Sequence, residues 1–406
     1  MKRFILPLLL LLSFQSFAQF IIQGRVVSKT DKRLIPNAVV FINNSTIAGT
    51  TDSAGHFRLT APVGQYSLLV NIIGYENYRA PLTLRGNMVL NDIELTPKIE
   101  AIKEVVVKAK PTISSCLPAF EQEFFGNTQF ARQCKILNPL VLQFYDITPQ
   151  GGFSARSSDF LQIENDALGY RIKFQLLFFI KDMSKKHSYF NGECHFEEMK
   201  GTPNQEREWR KNRLECYQGS PTQLLRAIIS DSLSENGFRV KRASRQVNPY
   251  FDKNGLVTNS YDIEGASAFA EMSAGVGIAA GLGIEDYSDN TRYNDKTEGG
   301  LVRGKDLLLT TNQKGIYAIT GKSAKDTAAN SIYIEHTRDA VPVNGAVSYV
   351  PWIWGGRVSL FIFNKPYLIF NSDGKMLNSG AINIDGFMLL QSRMATMLPF
   401  DYRPVQ

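Results

Sequence analysis

The residues best suited to chemistry in this sequence form the segment His195-Phe196-Glu197-Glu198, and a further histidine follows at His336. Two histidines and a carboxylate can hold a zinc ion and leave its fourth position open to a water molecule, which the metal activates for hydrolysis. The chain contains only four histidines, so few other acid–base arrangements can be assembled from it. His195, Glu198 and His336 are therefore the candidate ligands of a hydrolytic zinc site.

Two tryptophans, Trp352 and Trp354, occupy alternate positions in residues 350–356. In a strand, alternate side chains lie on the same face of the sheet, so both rings would share one face. Such a pair could stack on a sugar or peptide ligand, although aromatic residues beside a turn more often fill a core. This pair is the candidate ligand-binding site.

Residues 1–18 have the organisation of an export signal. Lys2 and Arg3 provide a positive start, residues 5–12 form an apolar stretch, and Ser16 and Ala18 supply small side chains before a cleavage site. The apolar stretch is shorter than the ~20 residues that span a bilayer. We expect the signal to be cleaved, the protein to be exported to the periplasm or the outer membrane, and no transmembrane span to remain.

The four cysteines, Cys116, Cys134, Cys194 and Cys216, lie beyond residue 110. An even number of cysteines in an exported chain permits disulfides, and four cysteines can pair in three ways, among which the sequence does not choose. Cys194 and Cys216 lack the closely paired spacing of structural zinc sites. We expect these four cysteines either to form disulfides or to be buried as thiols. We expect no cofactor.

The basic residues are spread thinly along the chain, although its formal net charge is +7. The densest basic stretch, residues 207–213, carries Glu208 within it. A nucleic-acid interface requires Lys and Arg clustered on one face. We interpret this stretch as a solvated helix face and expect no nucleic-acid partner.

From residue 20 to about residue 95, apolar side chains alternate with polar ones in short runs, which is typical of half-buried strands. The segment Asp52-Ser53-Ala54-Gly55 has the composition of a hairpin turn, in which Asp52 accepts backbone hydrogen bonds and Gly55 adopts a positive φ. Phe57 and Leu59 then face the core. Seven or so strands at this spacing predict an antiparallel β-sandwich over residues 19–97, with residues 98–111 as a terminal strand and linker.

This region resembles the carboxypeptidase regulatory-like domain, a transthyretin-like sandwich. The matching segments are GRV at 24–26, IPNAVV at 35–40, GTTDSAGHF at 49–57, YSLLV at 66–70 and IGY at 73–75. Arg33 departs from the family, which often has Gly at that point. The resemblance implies a non-catalytic adjunct, found beside peptidases or at the N-terminus of exported proteins of the Bacteroidetes type.

Residues 102–107, IKEVVV, resemble the segment that ends this domain in outer-membrane receptors energised by TonB. The transmembrane barrel of such a receptor has ~22 strands of about 9–11 residues each, which the residues after 110 cannot supply. We therefore interpret residues 98–111 as a terminal strand and linker, with contact to TonB as the less favoured alternative.

Residues 112–406 predict a larger, β-rich α+β domain. A helix is expected over residues 118–133, and a second one follows Ser220, which is a suitable N-cap before Pro221, with Gly237 ending its apolar stripe. Residues 174–180 are almost continuously apolar, which indicates a strand buried on both faces. The fold class is thus mainly β: a seven-stranded antiparallel sandwich followed by a β-rich α+β domain.

The same region resembles an uncharacterised extension carried by exported proteins with this N-terminal domain. The matching segments are FGNT at 125–128, CKILNP at 134–139, IEN at 163–165, LGY at 168–170, YQGS at 217–220 and LPFDY at 398–402. The resemblance spans nearly the whole chain, and it implies no known activity.

The resemblance also weakens the zinc hypothesis. In zinc carboxypeptidases the regulatory domain follows the catalytic domain, whereas here it comes first, and their catalytic domain alternates strands and helices around a mostly parallel sheet. We therefore expect a non-enzymatic cell-envelope protein that binds an unknown envelope protein or polysaccharide. The alternatives are a zinc metallopeptidase using His195, Glu198 and His336, and polysaccharide binding through Trp352 and Trp354.

Overall fold

The computed structural model describes residues 19–98, 113–146, 152–182, 187–244, 301–309, 311, 315–321, 329–336 and 358–404. The chain divides into two units, the first made of residues 1–42 and 47–100 and the second of residues 43–46 and 101–406. The predicted export signal, most of the predicted linker, and Trp352 and Trp354 lie outside the described residues.

The described part of the first unit contains strands β1 (Gln19–Ser28), β2 (Val39–Ile42), β3 (Ala48–Thr50), β4 (His56–Pro62), β5 (Gly64–Asn71), β6 (Tyr78–Leu84), β7 (Met88–Val89) and β8 (Ile93–Leu95). β4, β1 and β7 form one sheet in which β8 also pairs with β1, and β3, β2, β5 and β6 form the other. The predicted β-rich sandwich is confirmed. β7 and β8 pair with β1 in parallel rather than antiparallel fashion, and strands this short carry little alternating signal in the sequence.

The core of the first unit follows the alternation of its strands. In β4, Phe57, Leu59 and Ala61 are buried while the residues between them are exposed. The turn before β4 is held by the Asp52 carboxylate, which accepts hydrogen bonds from the amides of residues 54 and 56 at 2.9 and 2.8 Å. Gly55 has a φ of 71°, a conformation that side chains with a Cβ disfavour.

The first sheet of the second unit is built around one long hairpin. Its strands are β9 (Cys134–Ile136), β10 (Leu142–Asp146), β11 (Gly152–Ser157), β12 (Leu161–Asn165), β13 (Tyr170–Asp182) and β14 (His187–Glu198). β13 pairs along its length with β14, and on its other side with β11 and β12. Helix α1 (Ile113–Phe125) covers one face of this sheet, where its Phe120 and Phe124 rings contact Phe179 and Phe174 of β13.

The remaining described strands form two smaller sheets. β15 (Phe238–Ser244), β18 (Ala329–His336), β19 (Val358–Phe363) and β21 (Ile382–Gly386) form one, and β16 (Leu308–Leu309), β17 (Ile316–Ile319) and β20 (Leu368–Asn371) form the other. The helices that accompany the sheets of the second unit are α2 (Pro203–Tyr217), α3 (Pro221–Ile229), α4 (Gly304–Leu307) and α5 (Phe387–Gln391). Leu224, Leu225 and Ile228 of α3 join the core of these smaller sheets.

Helix α1 differs from the helix predicted over residues 118–133. It begins at Ile113, contains Pro118, and ends at Phe125. Gly126 terminates it with a φ of 82°, and its amide donates to the carbonyl of Gln122 at 3.0 Å. A glycine in this left-handed conformation is a common way to end a helix.

The apolar run at 174–180 is not buried on both faces, contrary to the prediction. The pairing of β13 with β14 shifts register between Leu176 and Phe178. Such a bulge changes which residues face inward, so Leu177 and Phe178 are both exposed while Phe179 returns to the core. Helix α3 begins at Pro221 as predicted, with the Ser220 side chain accepting a hydrogen bond from the amide of Gln223, but it ends at Ile229 rather than at Gly237.

A charged network links α1 to the β13–β14 hairpin. Glu123 forms an ion pair with Lys181 at 2.5 Å and accepts a hydrogen bond from the Ser188 hydroxyl at 2.7 Å, and Arg393 donates to the same hydroxyl at 3.0 Å. Burial alone would raise the pKa of Glu123, but the hydrogen bonds from Lys181 and Ser188 and the charges of Lys181 and Arg393 outweigh it and hold that pKa below its ordinary value.

Glu123 should therefore contribute stability that depends on pH. A lowered folded-state pKa stabilises the protein above the unfolded-state pKa of about 4.3, and this contribution is lost as the pH falls through the folded-state pKa. We expect Glu123→Gln to lower the free energy of unfolding by about 2 kcal/mol at neutral pH, and by progressively less towards about pH 3. Urea titrations across this range measure the difference.

Glu121→Gln is the matched control, because Glu121 lies on the same helix and burial raises its pKa. Removing that charge should leave the stability at neutral pH unchanged or slightly higher. Equal losses in both variants, or a Glu123→Gln deficit that does not shrink in acid, would contradict the assigned network.

Over the residues that the structure describes, there is no helix of the length and apolar character needed to cross a membrane.

Candidate functional site

The structure does not bring the three candidate zinc ligands together. His195 and Glu198 both lie in β14, where residues three apart point to opposite faces of the sheet. His336 lies in β18, which belongs to a different sheet. Within the described ranges, no group of three or more His, Cys, Asp and Glu side chains could hold a metal ion. This geometry gives the zinc hypothesis no support.

Each of these three residues has other contacts in the second unit. His195 is 7 % exposed, and its Nδ1 lies 3.1 Å from the carbonyl oxygen of Ser45. Burial lowers its pKa, which favours the neutral ring. His336 is buried with its ring 4.9 Å from that of Phe238. Glu198 forms an ion pair with Arg213.

The four cysteines are free thiols, and Cys116, Cys194 and Cys216 are buried. Burial raises the pKa of Cys134 and that of Cys194 to about 12, and it raises the pKa of Cys216 well above its ordinary value. Thiols with such pKa values remain protonated at neutral pH and are poor nucleophiles. Of the two expected states, disulfides or buried thiols, the structure contains unpaired thiols, and disulfide pairing stays a prediction.

The described part of the second unit contains an open cleft of about 560 Å³, bounded by α2, the end of β14 and the C-terminal segment 402–404. Its lining includes two acidic side chains, Glu198 and Glu206, and five cationic ones: Arg207, Arg210, Lys211, Arg213 and Arg403. We call this site the basic cleft. It is the candidate functional site of the protein.

Helix α2 supplies one wall of the basic cleft, and its start is fixed by the sequence. Thr202 is the N-cap: its hydroxyl accepts a hydrogen bond from the Gln205 amide, and the Gln205 side chain accepts one from the Thr202 amide. This reciprocal pair satisfies two amides that a helix leaves unbonded at its first turn, and Pro203 fits the first helical position because it has no amide hydrogen.

Trp209 anchors α2 to the rest of the second unit. Its ring is packed between Gly169 and Gly201, and a Cβ at Gly201 would lie 2.6 Å from the ring. Its indole nitrogen donates to the carbonyl oxygen of Asp166 at 2.8 Å. Only glycines permit this approach of the backbone to the ring, so both positions are required by the packing of α2.

Arg213 fixes the same helix one turn further along. Its guanidinium donates to the carbonyl oxygens of Leu168 at 2.7 Å and of Gly169 at 3.1 Å. It also lies 3.9 Å from the centre of the Tyr170 ring and forms an ion pair with Glu198 at 3.2 Å. The Arg213 side chain is 8 % exposed, so this cation holds the wall of the cleft and is not available to a ligand.

Arg207, Arg210 and Lys211 form a row of exposed cations along α2. Residues three and four apart in a helix lie on the same face, with Cβ atoms about 5–6 Å apart. Within the described part of the chain, the side chains of Arg207 and Arg210 have no hydrogen-bond or ion-pair partner, and Lys211 is 3.8 Å from Glu208. These cations are the groups that a ligand in the cleft would meet.

Residues 402–404 supply another part of the lining, and Arg226 of α3 holds this segment. The Arg226 guanidinium donates to the carbonyl oxygens of Phe400 at 2.6 Å, Tyr402 at 3.0 Å and Asp373 at 2.8 Å. Arg403 forms an ion pair with Asp373 and donates to the Phe400 carbonyl. Both walls are therefore fixed by buried or partly buried contacts before any ligand arrives.

Segments that are far apart in the sequence meet at this cleft. Leu168, Gly169 and Tyr170 receive Arg213, and the Tyr217 ring lies 5.8 Å from the Tyr402 ring. These residues belong to the LGY, YQGS and LPFDY segments that carry the resemblance of the C-terminal region. Of these residues, Tyr402 lines the cleft, and the others contact Arg213 or Tyr402, which line it.

The sequence of residues 207–213 predicts a solvated helix face and gives no direct sign of this site. Trp209 and Arg213 are instead buried at 7 % exposure each. Their spacing of one helical turn indicates a shared face, and an aromatic residue on that face was a usable sign that the helix packs there. No pattern in the neighbouring sequence predicts that α2 and Tyr402 line the same cleft.

The first unit, a sandwich of two sheets, matches a known domain family in sequence. Residues 22–107 match the model of the CarboxypepD_reg-like domain, and the N-terminal unit is a domain of this family. The chain is also similar to the TonB-dependent receptor SusC of Bacteroides thetaiotaomicron, with 29 % identity over 164 residues. The similarity covers 39 % of this chain and 16 % of that receptor, so the chain spans only a small part of this curated relative.

Two solved structures illustrate the further similarities. The C-terminal domain of the shaft pilin SpaA from Lactobacillus rhamnosus GG is 14 % identical, with 20 % of this chain and 99 % of that chain covered at a TM-score of 0.18. Catechol 1,2-dioxygenase from Acinetobacter sp. ADP1 is 12 % identical, with 24 % and 58 % covered at a TM-score of 0.19. These TM-scores are too low to support a conclusion about this chain.

Proposed function

We propose that this protein is a non-enzymatic component of the cell envelope whose second unit binds an envelope protein or polysaccharide in the basic cleft. The envelope location is supported by the CarboxypepD_reg-like family of the first unit and by the similarity to a TonB-dependent receptor. Both matches are to non-catalytic regulatory or receptor-like domains. The periplasm and the outer membrane are the two compartments in which we expect it.

The observation that carries the binding role is a preformed cleft of about 560 Å³ that presents exposed cations from a fixed helix. Binding sites for small ligands are typically concave, largely preformed and about 300–1,000 Å³ in volume. Trp209, Arg213 and Arg226 hold the walls with backbone hydrogen bonds, so the cleft keeps its shape without a ligand.

The two alternative functions have less support. A zinc peptidase requires His195, Glu198 and His336 to share a metal, and the first two lie on opposite faces of β14. Polysaccharide binding through Trp352 and Trp354 falls outside the described residues and stays a prediction.

Site-specific photo-crosslinking in cells tests the proposed function. A photoreactive amino acid placed at Arg210, on the lip of the cleft, should give a discrete crosslinked species that fractionates with the envelope. The matched control carries the same amino acid at Arg132, an exposed cation of the second unit that does not line the cleft, and should give none. Identical adducts at both positions, or none at Arg210, would contradict the proposal.

A further inference from the structure

We propose that the basic cleft binds an acidic polysaccharide, that is, a sugar chain in which successive rings carry carboxylates. The inference rests on the proposed function, because it names the ligand class of the same cleft. Three features of the lining support it: the unpaired cations Arg207 and Arg210, the acidic side chains of Glu198 and Glu206, and the aromatic ring of Tyr402.

The cation row favours a ligand with repeated negative charges. Arg207 and Arg210 have no partner among the described residues, and both line the cleft. A guanidinium binds a carboxylate through two parallel hydrogen bonds, which gives geometric specificity as well as attraction. Two such groups one helical turn apart match carboxylates carried on neighbouring rings of a chain better than a single isolated anion.

The acidic lining favours a ligand that also donates hydrogen bonds. Glu206 lines the cleft and has no side-chain partner in the described part of the chain, and Glu198 uses one carboxylate oxygen for Arg213. Carboxylates accept hydrogen bonds and repel anions, so they would oppose a ligand made only of phosphates. Sugar hydroxyls donate to such acceptors, and an acidic polysaccharide carries both kinds of group.

Tyr402 adds an aromatic side chain to the lining of the cleft. Its ring lines the cleft and is packed against Tyr217. A tyrosine presents an apolar ring face together with a polar hydroxyl, and the ring of a sugar has apolar C–H faces that pack against such a surface. The recessed site also suits a flexible chain better than the flat surface of an anionic bilayer.

Direct binding measurements on the full chain test the inference. The probes are oligogalacturonate, a chain of uronic acids, together with neutral dextran and linear polyphosphate. Oligogalacturonate should bind, dextran should not, and polyphosphate should bind more weakly. The double variant Arg207→Ser/Arg210→Ser should weaken oligogalacturonate binding by about tenfold or more. The loss of one charge-assisted hydrogen bond is alone enough to lower affinity by about tenfold.

Two further variants separate recognition from general charge. Arg132→Ser/Lys365→Ser removes the same charge from exposed positions outside the cleft and should leave binding within about twofold. Glu206→Ala should weaken oligogalacturonate binding because an acceptor for sugar hydroxyls is lost, and it should strengthen polyphosphate binding because a repulsive charge is lost.

The inference is overturned if oligogalacturonate does not bind, if dextran or polyphosphate binds as tightly, or if both double variants lose affinity equally. It is also overturned if Glu206→Ala strengthens the binding of both anions. Photo-crosslinking at Arg210 shows whether the ligand class alone is wrong or the proposed function is wrong as well. An adduct there without oligogalacturonate binding retains the cleft as a binding site and rejects its ligand class.

Discussion

Gly169→Ala is expected to lower the free energy of unfolding of the second unit by about 2–5 kcal/mol. Gly169 has a φ of 67°, where an L-residue pays about 1–2 kcal/mol, and its new Cβ would overlap the Trp209 ring, where overpacking costs about 1–3 kcal/mol. Urea unfolding followed by tryptophan fluorescence measures the change. The signal reports the second unit, because all three tryptophans belong to it.

The matched control is Gly380→Ala, since Gly380 is exposed and no atom lies within 4 Å of a Cβ built there. Its stability should change by no more than about 0.5 kcal/mol. A Gly169→Ala variant as stable as this control would mean that Trp209 does not pack against the Gly169 backbone. The fixed position of α2 would then lack its main support.

Arg213→Ala is expected to lower the free energy of unfolding by about 3 kcal/mol. The change removes both donors to the carbonyl oxygens of Leu168 and Gly169 and the cation beside Tyr170. The Gly169 carbonyl keeps its hydrogen bond from the Met199 amide at 2.9 Å, but the loss at the Leu168 carbonyl costs about 1–3 kcal/mol, and the lost packing of the long side chain adds to this. Urea unfolding of the purified variant gives the value directly.

Arg210→Ala is the control for that variant, because Arg210 lies on the same helix and is exposed. It should change stability by no more than about 0.5 kcal/mol. Arg213→Lys keeps the charge but loses the planar fork that reaches two carbonyls, so its stability should fall between those of the wild type and Arg213→Ala. If Arg213→Ala and Arg210→Ala behave alike, Arg213 is not the anchor of α2.

The features that could be predicted from the sequence are those decided by neighbouring residues. The alternation around Phe57 and Leu59 gave the strand and its buried face, and Asp52 and Gly55 gave the turn before it. The start of α3 after its N-cap Ser220 could be predicted in the same way. The Ser220 hydroxyl accepts a hydrogen bond from the amide of Gln223, which is only three residues further along the chain.

The features that could not be predicted depend on pairing between distant segments. The bulge in β13 lies beside Leu177 and is defined only by its register with β14, so the apolar run gave no sign of it. The parallel pairing of β8 with β1 joins Ile93 to Val26, and the short strand has too few residues to show a period.

The candidate site was missed for the same reason. A hydrophobicity pattern marks Arg213 as a surface residue, and only the tertiary contact with the carbonyls after β12 accounts for its burial. The alternative zinc site gains no support, because His-x-x-Glu places both side chains on one side of a helix but on opposite sides of a strand, and β14 is a strand.

The most direct test of the basic cleft as the binding site is hydroxyl-radical footprinting of the full chain with and without saturating oligogalacturonate. Met199 and Tyr402 line the cleft, and Tyr367 is exposed elsewhere on the second unit. The cleft account predicts that the ligand slows oxidation of Met199 and Tyr402 and leaves Tyr367 unchanged. Unchanged oxidation of Met199 and Tyr402, together with protection at another part of the chain, would contradict it.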